Sequence, residues 1–152
     1  MEEIKNNNIV LLLSHKVGAW VAKYFASRDI EKVVAIYFEE KSDYSNNIIK
    51  TLKLNEKKVF YGKYILTDLS HIKWLITQDI DFILTVYWPW LLEERFFKTA
   101  KHSINFHPAY LPINRGWYPH VHSIIDGSKA GVTLHQISKG PDVKIKPFSL
   151  FH

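Results

Sequence analysis

The chain contains no cysteine. That removes disulfide frameworks, thiolate nucleophiles and cysteine-based zinc sites, and it fits a reducing compartment. No apolar run approaches a bilayer span, because lysines and aspartates interrupt every candidate, so no membrane association is expected. The opening Met1-Glu2-Glu3-Ile4-Lys5-Asn6 lacks the basic-then-apolar order of a secretory signal, which makes the cytoplasm the expected address. Glycine is scarce where one activity class needs it. The turn Ser14-His15-Lys16-Val17-Gly18-Ala19 holds a single glycine, whereas a dinucleotide fingerprint assigns separate glycines to the tight turn, the pyrophosphate approach and the helix packing. NAD chemistry is therefore not expected. Neither a Walker phosphate loop nor a G-x-S-x-G elbow occurs.

What is present is a chain of 152 residues, 47% hydrophobic, enough for one domain with a real core. The net charge of +5 favours anionic small molecules. The lysines form no basic block, so no nucleic-acid partner is expected. Ile9 to Leu13 reads as a fully buried strand, and Val17 to Arg28 as an amphipathic helix. Lys32 to Phe38 is a second strand, Asp43 to Leu54 a second helix capped by Ser42 or Asp43, and Val59 to Tyr61 a short strand. Asp68 to Thr77 is a third helix, followed by a strand from Phe82 to Tyr87. A short helix, Glu93 to Lys98, leads to the strand His102 to Phe106. Pro119 opens a helix that Gly127 ends, and Gly131 to Ile137 is a last strand. Strands alternating with helices predict an α/β, Rossmann-like domain with a mostly parallel twisted sheet flanked by helices. Such sheets bind ligands beyond the carboxyl ends of their strands. Three segments there draw notice: Tyr87 to Trp90, Asn105 to Pro108, and His135 to Ser138.

Asn105 and His107 stand one residue apart from adjacency on an apolar run, so both point to the same side of a strand. An amide can donate to an oxyanion, and an imidazole can move the proton lost by an attacking amine, so the pair suits acyl transfer. The spacing fits equally an asparagine that satisfies loop backbone and a histidine that fills core. Tyr87, Trp88 and Trp90, with Trp117 and Tyr118, suit either stacking on a flat ligand or ordinary packing. Two indoles straight after a buried strand favour a ligand wall. His102, His120, His122 and His135 show no metal-ligand pattern, and no metal is expected. Asp142, in Gly140-Pro141-Asp142, reads as a solvated turn or as a carboxylate folded back on His107; spacing leaves both open.

Ile104-Asn105-Phe106-His107-Pro108-Ala109-Tyr110-Leu111-Pro112, Asn114-Arg115-Gly116, Ala130-Gly131-Val132-Thr133-Leu134-His135 and Gly140-Pro141-Asp142, taken in that order, resemble the N10-formyltetrahydrofolate-dependent formyltransferases. Within that family, Asn114 to His120 is most similar to the nucleotide-sugar N-formyltransferases. The resemblance implies Asn105, His107 and Asp142 as catalytic residues. It implies the folate co-substrate against Trp88, Pro89, Trp90 and Leu91 and against Ile137, Ser138 and Gly140. It places the acceptor by Tyr110, Asn114, Arg115, Gly116, Trp117 and Tyr118. The implied reaction formylates the amino group of a dTDP-linked amino deoxysugar for surface-polysaccharide (O-antigen) synthesis, without a metal, in a possible homodimer. Alternatives are another amine such as glycinamide ribonucleotide, or a ligand-binding remnant without turnover. Two departures motivate the remnant. The family order Asp-x-Gly-x-Ile stands here as Asp142-Val143-Lys144-Ile145, and the chain ends at His152, before a further strand and helix that the family domain is expected to carry.

Overall fold

The computed structural model describes residues 7–27, 31–111, 113, 119–138 and 148–149. Among the described residues, seven strands form one sheet: β1 (Asn7–Leu13), β2 (Glu31–Phe38), β3 (Val59–Tyr61), β4 (Ile80–Val86), β5 (Ala100–His107), β6 (Thr133–Gln136) and β7 (Phe148–Ser149). Their spatial order is β3-β2-β1-β4-β5-β6-β7. The strands from β3 across to β5 are parallel, and β6 and β7 add antiparallel at one edge. The strand order reverses between β1 and β4, which is the switch point where open α/β sheets leave a crevice. The expected Rossmann-like architecture is the observed one.

The helices α1 (His15–Ala26), α2 (Asp43–Leu52), α3 (Leu69–Ile76), α4 (Glu94–Phe97) and α5 (Pro119–Asp126) fill the connections. None of them is long and apolar enough to cross a membrane. β1 is apolar on both faces because both faces are covered. Ile9, Leu11 and Leu13 meet Ala22 and Ile48 on one side, while Val10 and Leu12 join Leu66, Ile72, Leu75 and Phe96 on the other. Burial of these side chains, each worth about 1.5–3 kcal/mol, holds the layers together.

Helix ends explain where the structure departs from the periodicity. α2 starts in a capping box of Ser42 and Ser45. It stops at Leu52, two residues before the expected end, because Lys53 turns left-handed at φ 50°. α3 is capped by Asp68, whose carboxylate accepts the His71 amide at 2.7 Å. β4 ends at Val86, one residue short of the expected Tyr87, because Tyr87 has φ 54° and cannot continue a strand. Two short 3-10 turns, Glu56–Lys58 and Tyr64–Thr67, carry no apolar period and were not expected from the sequence.

Candidate active site

β5 carries Ser103, Asn105 and His107 on one face by the two-residue alternation of a strand. Its neighbours continue that face. Thr85 of β4 lies in register with Asn105, and on the other side His135 of β6 faces Asn105 while Thr133 faces His107. A polar row therefore crosses three adjacent strands. It lies on the sheet side occupied by Ile83, Phe96 and α3, whereas Val86 and Phe106 face the α1 side.

The contacts along the row are specific. The Thr85 hydroxyl donates to Asn105 Oδ1 at 2.7 Å. Asn105 Nδ2 meets His135 Nε2 at 3.1 Å, and His135 Nδ1 lies 3.2 Å from the Gln136 carbonyl oxygen. An amide nitrogen must donate, so His135 Nε2 accepts and its hydrogen sits on Nδ1, where the carbonyl receives it. The rings of His107 and His135 stand edge to face with centroids 6.2 Å apart. Thr133 fixes the loop that leaves β5. Its hydroxyl donates to the Ala109 carbonyl at 2.7 Å and accepts the Leu111 amide at 3.1 Å. Ala109 and Leu111 are buried, and Tyr110 between them faces outward with Lys129 Nζ 5.7 Å from its ring centre.

A cavity of about 300 Å³ opens one step further down β5. Phe97, Ala100 and Ile137 line it with apolar side chains, Ser103, Gln136 and Ser138 with neutral polar ones, and Glu94, Lys98 and Lys101 with charged ones. Ile137 is held there because its amide donates to the Ser103 carbonyl at 2.8 Å. This corrects one expectation. The segment after β6 was grouped with Tyr87 to Trp90 at the sheet mouth, but β6 runs antiparallel, so its carboxyl end descends towards the foot of β5. Ile137 and Ser138 line the cavity, while Trp88, Pro89, Trp90 and Leu91 follow the carboxyl end of β4 and are not among its lining residues. Trp88 and Trp90 pack edge to face at 5.2 Å and lean on the α3-side core, and Leu91 is exposed. Trp88 Nε1 is buried with no hydrogen-bond partner among the described residues.

At the switch point, the residues just past β1 and β4 both have positive φ, His15 at 57° and Tyr87 at 54°, and their rings meet edge to face at 6.1 Å. Burial pushes the Tyr87 phenol above its ordinary range, so it stays neutral. Ser14, buried beside them, donates its hydroxyl to Glu39. His102 is exposed and stacks on Phe82. Asp142, Gly140, Asn114, Arg115, Gly116, Trp117 and Tyr118 lie outside the described residues. Among the described residues, no group of three His, Cys, Asp or Glu side chains gathers that could hold a metal ion. Thr85 and Thr133 are the site neighbours that sequence reading missed. Only the pairing register brings them to β5; the available signals are a lone threonine inside the apolar β4 and, for Thr133, its place in the motif Ala130 to His135.

The family model described as formyl transferase matches residues 2–143 of this chain. The chain belongs to the formyl transferase family. A stretch of 34 residues is 62% identical to the dTDP-4-amino-4,6-dideoxyglucose formyltransferase of Mycobacterium tuberculosis, covering 22% of this chain and 14% of that protein. The formyl transferase chain thus matches only a small part of the curated relative's length. Its fold is shared by solved structures, among them two formyltransferases. The phosphoribosylglycinamide formyltransferase from Anaplasma phagocytophilum aligns with TM-score 0.72 and 23% identity over 91% of this chain and 68% of its own. A 4-N formyltransferase from Francisella tularensis aligns with TM-score 0.65 and 22% identity over 90% of this chain and 52% of its own.

Proposed function

We propose that this chain transfers a formyl group from N10-formyltetrahydrofolate to the amino group of a nucleotide-linked amino deoxysugar. The observation that carries the reading is the polar row: Asn105, held on both sides, lies beside His107 at the end of β5, on the strand whose Ser103 lines a cavity of apolar, polar and charged side chains. That cavity suits a flat heterocycle whose rim makes hydrogen bonds, as a pterin does. Ile137 and Ser138 would hold it, with Gly140 beyond them and with Trp88, Pro89, Trp90 and Leu91 along the donor's path. The local identity to a dTDP-amino-sugar formyltransferase supports the acceptor class.

In this reading the acceptor amine, in its neutral form, attacks the formyl carbon, and the carbonyl oxygen gains the charge. Asn105 donates its second amide hydrogen to that oxygen, and protonated His107 supports it. Asp142 orients His107 and assists the proton that leaves the amine. The bond from the formyl carbon to N10 then breaks, and N10 takes up a proton, which balances the transfer. Tyr110, Asn114, Arg115, Gly116, Trp117 and Tyr118 are the proposed acceptor contacts. Removing a positioned oxyanion donor lowers kcat by about a hundred- to a thousandfold, and removing a general acid-base group by about a hundred- to ten-thousandfold. Asn105→Ala and His107→Ala should each do so while the fold persists. An assay with formyl-folate and dTDP-amino sugars checks this. Equal rates in wild type and both variants would sink the assignment.

A second acceptor, glycinamide ribonucleotide, is favoured by the alignment to the phosphoribosylglycinamide formyltransferase, which has the higher TM-score. Offering both amines in one competition assay separates the two.

A further inference from the structure

We infer that Thr85 is a positioning residue for the transfer: its hydroxyl anchors the Asn105 amide so that nitrogen, not oxygen, is presented to the reacting carbonyl. The inference rests on the reading of Asn105 as the oxyanion donor. An asparagine amide is nearly symmetric in shape, and either end fits the same space. Turned the wrong way, it would aim an oxygen at the developing negative charge and repel it. Something must fix its direction.

The three-strand ladder does so. Thr85 stands opposite Asn105 in the β4–β5 register and is 3% exposed. At 2.7 Å its hydroxyl can only donate, because Oδ1 carries no hydrogen. The opposite end of the amide gives one hydrogen to His135 Nε2, and His135 Nδ1 gives its own to the Gln136 carbonyl. All three bonds run in one direction, from Thr85 to the backbone of β6. A flipped amide would set Oδ1 against the lone pair on Nε2. Relieving that by moving the ring hydrogen to Nε2 would set the Nδ1 lone pair against the Gln136 oxygen. One amide hydrogen is used by His135 and one is left for the substrate. Without the Thr85 hydroxyl, Oδ1 loses its donor and the amide loses the contact that stops it rocking out of line. Small misalignment of a reacting group is costly in rate.

Thr85→Val keeps the shape and removes the hydroxyl, Thr85→Ala removes both, and Thr85→Ser restores the hydroxyl alone. The expected result is a kcat about ten- to a hundredfold lower in the valine and alanine variants. Both KM values should stay within about twofold, and serine should recover most of the rate. The second readout does not need turnover. In the ¹⁵N spectrum of the full chain, the side-chain NH₂ pair assigned to Asn105 (the pair lost in Asn105→Asp) should exchange with water several-fold faster in Thr85→Val than in wild type. A valine variant with wild-type kcat, or an unchanged NH₂ pair, overturns the role of Thr85. So does a serine variant no faster than valine. Absence of formyl transfer by the wild-type chain would fall on the proposed function, and the NH₂ exchange would still decide the anchoring.

Discussion

Gly18 shows how tightly α1 sits on its neighbours. A Cβ added there would stand 2.4 Å from the Tyr44 hydroxyl and 3.0 Å from Leu13 Cβ. The Tyr44 hydroxyl is itself buried without a hydrogen-bond partner among the described residues. Burial first, and Glu39 second, push that phenol above its ordinary range, so it stays protonated. Gly18→Ala should therefore cost about 1–3 kcal/mol by overpacking. Tyr44→Phe, which deletes an unsatisfied hydroxyl, should be neutral or stabilising. The double variant should regain most of the loss, because the nearest clashing atom is gone. Urea melts of the three variants measure this, and a double variant as unstable as Gly18→Ala would place the clash elsewhere.

At the scale of elements, the edge of the sheet depends on Thr133. This single hydroxyl ties β6 to the loop after β5 by accepting from Leu111 and donating to Ala109, both buried. Thr133→Val leaves a buried amide and a buried carbonyl without that partner, at a cost of about 1–3 kcal/mol each. The loss should show first as local opening. Amide exchange at Leu111 should accelerate well before that of β1, whose central residues are fully buried. Uniform acceleration across the sheet would mean that the loop and the core open as one unit. The same level explains what periodicity could and could not reveal. β1, β2 and the helices were legible because burial on two faces demands continuous apolar runs and burial on one face demands a helical stripe. The antiparallel direction of β6 was not. A short strand reads the same whichever way it pairs, so the descent of Ile137 and Ser138 towards the foot of β5 had no sequence signature.

For the whole molecule, one buried histidine couples stability to pH. His71 sits among Tyr37, Phe60 and Trp74, with its Nε2 2.6 Å from the Tyr37 hydroxyl and its ring stacked on Trp74 at 5.2 Å. Burial lowers its pKa below the ordinary 6.5, against a smaller opposing pull from Asp68. The folded state then binds fewer protons than the unfolded state just below that value. This contribution is therefore fully present above about pH 6.5 and is lost as pH falls through 6.5 towards the lowered folded value. Wild type should weaken more than His71→Gln between pH 7.5 and pH 5 in denaturant melts. Parallel losses in the two proteins would show that other groups carry the acid sensitivity.

The sequence by itself determined the layered α/β fold, because apolar periodicity encodes which faces must leave water. Its ordered motifs pointed to formyl transferases, and the family match bore that out. It also put Asn105 and His107 on one side of one strand, since alternation along a strand is a local property. Only the tertiary structure decided who stands beside them. Thr85 and His135 reach Asn105 through pairing registers fixed by the packing of the entire sheet, and no local rule of composition or spacing contains that information.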